Sequence, residues 1–460
     1  MLNHSVGING LTIFNYLLIN ELSPMQFNHN SLRRFTVILI MSFVMSSTVF
    51  AQSDLITALN NHVIPIRTLD PEENFEDLRP LDALLRDKRI IGLGEATHGT
   101  QEFSLYKDRM IRYLITNHDF RTIILEADFT GTQFLDDYVV YGKGSIRDGI
   151  EGGINSMLST PEFIDMVKWI KTYNETKPMG EKVRFYGCDM QHSFFSGARL
   201  KDGTIKLDVP LSPMAQRGLA IAMDAGIREL TKEMRLQLDR LSFELARATV
   251  VEPDPVKQQL YTQIKETVIQ QIAYKKTKNH LFDKENDIIR DKYMAENAAW
   301  IYHQRGNKTI IWAHNLHVAK DIAINNWPPM GSHLAKMFPH EYYVFGFAFN
   351  AGQLNAGNLQ GEPTIFDIPD VTIKKSSDYQ FKQVNTPNFI LDFKTASQDP
   401  LIADFLNKEL HARAIGARYK KTKYASGRGS FQALIKLYDA IIFFRDTHPI
   451  TIISVKELAE

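Results

Sequence analysis

Residues 89–103 read Arg89-Ile90-Ile91-Gly92-Leu93-Gly94-Glu95-Ala96-Thr97-His98-Gly99-Thr100-Gln101-Glu102-Phe103. An apolar run, Arg89–Leu93, enters a glycine-punctuated turn, and a stretch of helical period follows from Thr100 to Asn117. A short apolar run without polar alternation is what a strand covered on both faces looks like. The same grammar recurs along the chain. Thr122–Leu125, Val183–Tyr186, Thr309–Trp312, Tyr342–Phe349 and Ala440–Phe444 read as further buried strands, with helical stretches such as Pro161–Asn174 between them. Strands alternating with helices predict an α/β fold: a largely parallel central sheet flanked by helices. Gly92-x-Gly94 resembles part of a dinucleotide-binding fingerprint, but the next glycine, Gly99, stands at the wrong spacing, so a Rossmann cofactor site is rejected.

Between Pro210 and Arg305 the chain turns long, charged and helical in period, with no strand candidate. Ala215–Val250 and Pro255–Lys275 predict a helical hairpin inserted into the core, at about residues 210–305, serving as structure or as the wall of a cleft. No repeat or linker breaks residues 52–460, which read as one catalytic domain. The 53 basic and 53 acidic residues cancel, so there is no basic field to gather nucleic acid. Near the start, Arg33 and Arg34 precede the apolar run Phe35–Val44 and the cleavage-like Val49-Phe50-Ala51. This predicts a signal peptide at 25–51, with 1–24 an over-extended start, and a periplasmic or secreted protein without stable membrane association after cleavage. A retained anchor is the alternative, for which the run is short. Cys188 is the only cysteine, which excludes an intrachain disulfide and suits a small buried hydrophobe.

Ligands of open α/β sheets gather at the carboxyl ends of the strands. Glu95 and His98 emerge at one such end, Glu126 and Asp128 at a second, Asp189 and Gln191 at a third, and His314 and His317 at a fourth. A histidine beside carboxylates makes a general base, because imidazole titrates near neutrality and an acceptor on one ring nitrogen fixes the role of the other. Lys107 or Arg109, on the helix after His98, would face the site and stabilise an oxyanion. Each residue also has a structural reading: helix capping for Asp189, a surface ion pair for Arg109, a core contact for His314. No Gly-x-Ser-x-Gly and no His-Glu-x-x-His occurs; His340-Glu341 lacks its second histidine. What remains is attack by an activated water, with His98 alone or a bound divalent metal as activator. Glu95, His98, Glu126, His314 and His317 form a chemically acceptable ligand set, but spacing alone supports it, and metal-free chemistry without a required cofactor is preferred.

Gly94-Glu95-Ala96-Thr97-His98-Gly99-Thr100-x-Glu102-Phe103 with Lys107-x-Arg109 resembles the signature of the erythromycin esterase family. The resemblance continues through Leu125-Glu126-Ala127, Phe185–Gln191, Arg290-Asp291-x-x-Met294-Ala295-Glu296-Asn297, Ala313-His314-Asn315-x-His317, Met330-Gly331-x-x-Leu334 and Tyr438–Phe443, in order over roughly residues 80–450. It implies an α/β core with helical insertions and hydrolysis of the macrolactone ring of macrolide antibiotics. His98 becomes the base that activates water, Glu95 its orienting partner, and His314, His317, Glu126 and Arg109 their companions. Lys107, Glu102, Asp189 and Gln191 become candidates for holding a small-molecule ester or lactone. Resistance esterases of this family act in the cytoplasm, whereas this chain reads as exported, and many relatives keep the motif without established action on macrolides. A periplasmic esterase acting on an envelope component or another natural ester is therefore the second reading. A divalent-metal-binding periplasmic protein is the third.

Overall fold

The computed structural model describes residues 54–460 apart from 154–155, 193, 228, 278–283, 322–326, 421–429, 455 and 459–460. The signal-peptide reading of 25–51 and the reading of 1–24 lie outside the described residues. Eleven strands follow in chain order: β1 (Ile64–Pro65), β2 (Ile90–Leu93), β3 (Phe120–Asp128), β4 (Arg184–Asp189), β5 (Lys308–Trp312), β6 (Tyr342–Gly357), β7 (Pro363–Ile368), β8 (Asn388–Asp392), β9 (Glu409–Ala412), β10 (Ser430–Ala433) and β11 (Ala440–Thr447). Among the described residues nine of them form one sheet, while β9 and β10 pair separately.

The heart of the sheet is a parallel row, β11-β6-β2-β5-β3-β4, built from the six runs read as buried strands. Beyond β11 the row continues antiparallel through β8 and β1, and β7 folds back antiparallel on the second half of β6. The sheet is thus mixed, parallel at its centre and antiparallel at one edge. All four residues of β2 are buried, as are Thr309–Trp312 of β5, which explains their lack of alternation.

Helices cover both faces. The helix after β2, α1 (Gln101–His118), stops where Asp119 takes a left-handed φ of 65° and returns its N–H to Leu114. With α2 (Thr132–Tyr141) and α3 (Pro161–Glu175) it shares one apolar cluster with Ile123, Leu125 and Phe185 of the sheet. Cys188 lies three residues beyond Phe185 and so points to the opposite face. There its sulfur meets that of Met330.

The segment read as a helical hairpin divides differently. Ser212, Thr231 and Asp254 cap the starts of α4 (Pro213–Met223), α5 (Lys232–Arg247) and α6 (Pro255–Lys276). The single helix expected over Ala215–Val250 is broken because Asp224 accepts the N–H of Gly226, a local turn that competes with helix. Leu219, Leu238, Leu241 and Val268 give these helices a core of their own. The next helix, α7 (Lys284–Arg305), instead returns to β3 and β4. After β5 come α8 (Asn315–Val318) and α9 (Met330–Met337). No helix among the described residues is long and apolar enough to cross a membrane.

One local irregularity aims a side chain. Leu125 pairs with Gly187 but Asp128 pairs with Asp189, so β3 carries one extra residue at Glu126-Ala127. The bulge fits because Gly187 has no side chain: a Cβ there would lie 2.2 Å from the Asp128 carbonyl oxygen and 2.4 Å from that of Ala127. Gly187→Ala is expected to cost about 2 kcal/mol of stability, the usual scale for overpacking a filled site. Urea denaturation measures it, and an unchanged midpoint would refute the close-approach argument.

Candidate active site

The turn after β2 is held from several sides. Gly94 donates its N–H to Phe345 O (2.9 Å), Glu95 O accepts from Asn315 N (2.8 Å), and Ala96 O accepts from Ile415 N (2.7 Å). Gly99 O accepts from both Asn355 N (3.0 Å) and Ile450 N (3.1 Å). Asn315 adds a reciprocal pair with the backbone of Phe347, donating to its O (2.7 Å) and accepting from its N (3.0 Å). The side chains at 95 and 98 therefore project from a backbone whose polar groups are committed.

Glu95 is buried and accepts from three donors. Its Oε1 lies 2.5 Å from His98 Nδ1, and its Oε2 accepts from Lys107 Nζ (2.5 Å) and Trp312 Nε1 (3.0 Å). The carboxylate thus fixes the proton of His98 on Nδ1. His98 Nε2 has no hydrogen-bond partner among the described residues, and the side chain keeps 14% of its surface exposed. Its ring centroid stands 5.1 Å from that of His314. His314 Nδ1 accepts the N–H of Leu316 (3.2 Å), so its Nε2 carries the proton toward Ile415 O (3.3 Å).

A second charged group faces the first. Arg290 of α7 donates to Glu126 Oε1 (2.8 Å), to Asp189 Oδ2 (2.7 and 3.1 Å) and to His317 Nε2 (3.0 Å). Glu126 Oε2 accepts the backbone N–H of His314 (2.9 Å). His317 Nδ1 lies 2.8 Å from Asp291 Oδ1, and Asp291 also accepts from Trp327 Nε1 and Met330 N. Two histidine–carboxylate pairs, His98–Glu95 and His317–Asp291, thus flank the neutral His314.

The charges explain the proton affinities. Four carboxylates (Glu95, Glu126, Asp189, Asp291) meet two fixed cations (Lys107, Arg290), so the field favours protonating imidazole. Burial opposes ionising Glu95, but Lys107 and then His98 outweigh it and hold the carboxyl at about 2. Burial likewise opposes Glu126, which His317 and Arg290 hold well below the usual range. Burial would lower His98, yet the Glu95 bond and the charges of Glu95 and Glu126 raise it above 6.5. His317 is carried up to about 10 against burial by Asp291 and Glu126. Its Nε2 accepts from Arg290 when neutral; when charged, Nε2 carries a proton and its N–H is directed at Glu126 Oε1, 3.3 Å away. Burial, then the neighbouring His98 and His317, drive His314 down to about 3. Lys107 drops to about 8 through burial, with Glu95 opposing.

The structure brings Glu95, His98, Lys107, Glu126, Asp189, His314 and His317 into these two linked groups. Gln191 stands at their edge, its side chain on the hydroxyl of Tyr274 (3.1 Å) and its N–H on Asp189. Arg109 is elsewhere: fully buried, it binds the carbonyls of Asp70, Glu73 and Asn74 and the carboxylate of Asp77. Two residues along a helix is a rotation of about 200°, so Lys107 and Arg109 cannot both face one site. Glu102 is also elsewhere, holding the backbone and ring of His448 (2.8 and 2.6 Å). Arg290, Asp291 and Trp312 were missed as functional residues. Among the described residues no three His, Cys, Asp or Glu side chains are grouped to hold a metal ion. In the ligand set weighed for a divalent metal, the oxygens of Glu95 and Glu126 are directed at protein donors instead.

Fold and site together define the class: an α/β protein with two histidine–carboxylate pairs at the carboxyl ends of its parallel strands. The erythromycin esterase family model matches residues 115–447, and the chain belongs to that family. Glu126, Asp189, Arg290, His314 and His317 lie inside the match; Glu95, His98 and Lys107 precede it. Erythromycin esterase type II of Escherichia coli is 24% identical over 331 residues, covering 64% of this chain and 76% of that protein. A succinoglycan biosynthesis protein of known crystal structure superposes with a TM-score of 0.72 at 22% identity, covering 87% of this chain and 99% of the other. Erythromycin esterase EreC, as a histidine mutant in its open conformation, gives 0.60 at 18% identity, with 84% and 98% covered. The two structures establish the shared fold, and family membership points to an esterase-type hydrolase acting on a small molecule.

The neutrality of His314 has a measurable cost in acid. Its folded pKa, about 3, lies below the ordinary 6.5, so its contribution to stability is complete above 6.5 and is lost as pH falls toward 3. Glu95 adds a loss in the same direction between 4.5 and about 2. Urea unfolding at pH 7 and pH 5 is expected to differ more in the wild type than in His314→Asn, by up to about 1.4 kcal/mol per pH unit for the one proton. Equal slopes would contradict a buried neutral imidazole.

Proposed function

We propose that this protein is a carboxylic ester hydrolase in which His98 activates water, with the macrolactone ring of erythromycin-type macrolides as its substrate. The observation that carries this reading is the state of His98: Nδ1 is tied to an ionised Glu95 while Nε2 has no hydrogen-bond partner among the described residues. A base so held presents one defined lone pair to a water molecule. Nε2 takes the proton of the water, whose oxygen bonds to the ester carbonyl carbon. The tetrahedral adduct then breaks its bond to the alkoxy oxygen, which receives the proton from Nε2. Arg290 is the cation with an N–H to spare for the oxyanion; both ring nitrogens of His317 are committed to Asp291 and to Glu126 or Arg290, and Lys107 and Arg109 are fully buried away from solvent.

The family name and the names of its relatives support the macrolide. The signal-like residues 33–51 favour the second reading, a periplasmic or secreted esterase acting on an envelope component or another natural ester.

Purified protein is incubated with erythromycin and analysed by mass spectrometry beside His98→Ala. The expected product is the drug plus one water, with the mutant slower by at least roughly 100-fold, the lower range for general-base catalysis. Because His98 is raised above 6.5, kcat/KM is expected to climb with pH along an acid limb centred above that value. No turnover by folded protein removes the macrolide and leaves the natural ester. Full activity of His98→Ala removes the base.

A further inference from the structure

The geometry points to Lys107 as a positioning residue that acts on His98 through Glu95 and never touches substrate. Lys107 Nζ is fully buried. It lies 2.5 Å from Glu95 Oε2, with the ring centroid of Trp312 4.4 Å away and that of Phe347 5.5 Å away. The ammonium is enclosed by a carboxylate and two aromatic faces, which leaves a ligand no route to it. The charged groups turned toward it are Glu95 from the turn after β2 and Glu126 from β3; β5 and β6 present only the rings. Those turned toward His98 are the same two carboxylates together with His314 and His317.

The consequence concerns how tightly His98 holds its proton, and it rests on the reading of His98 as the base. Glu95 serves two cationic partners, one on each oxygen. With Lys107 in place its charge is divided, and His98 releases its proton more readily than it would beside an unshared carboxylate. Take the cation away and His98 alone must balance Glu95. It is then protonated over a wider range of pH and is a base for less of it. Burial brings the Lys107 pKa down to about 8, and the charge and hydrogen bond of Glu95 are the main influences opposing that fall.

The test follows His98 directly. Histidine-labelled protein is titrated by NMR, with the His98 signal assigned by its absence from His98→Gln, in the wild type, Lys107→Met and Lys107→Arg. The Met variant is expected to raise the His98 midpoint by about one pH unit, the scale of losing a nearby charge. Arg, which keeps the charge, is expected to return it toward the wild-type value. Ester turnover should show the acid limb moving up by the same amount, kcat near neutrality falling roughly tenfold, and KM holding steady. A His98 midpoint indifferent to Lys107→Met overturns the proposal. So does a rise in KM with the acid limb unmoved, which would make Lys107 a substrate contact. Should Lys107→Met fail to fold, Lys107→Gln, which also removes the charge, takes its place: a raised His98 midpoint supports the proposal and an unmoved one overturns it. If no ester is turned over by the wild type but the midpoint moves as expected, the coupling stands and the reading of His98 as an esterase base falls.

Discussion

A single buried carboxylate sets the terms for the rim at the carboxyl ends of the parallel strands. Glu95 cannot be left without donors in a water-poor interior, where an unpaired charge costs several kcal/mol. Its three donors come from three places: His98 from its own turn, Lys107 from α1, and Trp312 from the end of β5. Satisfying it therefore requires β2 and β5 to be neighbours in register and α1 to lie across the sheet with one face turned inward. The register that pairs Leu93 with Trp312 brings the indole to the turn. The helix that begins at Gln101 delivers Lys107 less than two turns later.

Three histidines share this space and have three different chemistries, because each meets a different balance of burial and charge. His98 and His317 each have a dedicated carboxylate, so the four acids of the site are neutralised partly by imidazolium. His314 has none: its ring nitrogens are occupied by a backbone N–H and a backbone carbonyl, and its neighbours are cations or become so. Environments that push like residues apart in this way separate acid, base and spacer roles without changing residue type.

Much of this was legible in the sequence, and the part that was not has physical reasons. The central parallel strands are continuous apolar runs, and polar residues at their carboxyl ends are conspicuous by contrast; hence Glu95, His98, Glu126, Asp189, His314 and His317 could all be found by position. The antiparallel edge was not seen because β1 has only two residues and Asn388–Asp392, though as long as β5, carries just three apolar residues between polar ends. Arg290 and Asp291 sit in a helix rich in charge, where a solvated face is the ordinary expectation, and only tertiary structure turns that stretch toward β3 and β4. Lys107 and Arg109 could be separated by helical rotation alone, since a helix on a sheet has one inward face. What rotation does not reveal is that the other face is buried too, under the 70–77 segment that Arg109 holds.

The distribution of rigidity bears on how such a site acquires a substrate. The turn at 94–99 is bonded to the 315, 345, 355, 415 and 450 regions of the chain, so its geometry is over-determined. Preorganised donors and bases need no rearrangement as charge develops, and an active centre built this way is suited to one kind of bond-breaking step. Helices α4 to α6 are built differently, with an apolar core separate from that of the sheet. Residues there can be exchanged without disturbing the donors of Glu95. Shape recognition evolves most readily in an element with its own core, whereas the chemistry of the rim is bound to the sheet. A helical segment with its own core can change shape while the rim keeps its charge network, so the rim speaks to chemistry more directly than to the molecule on which it would act.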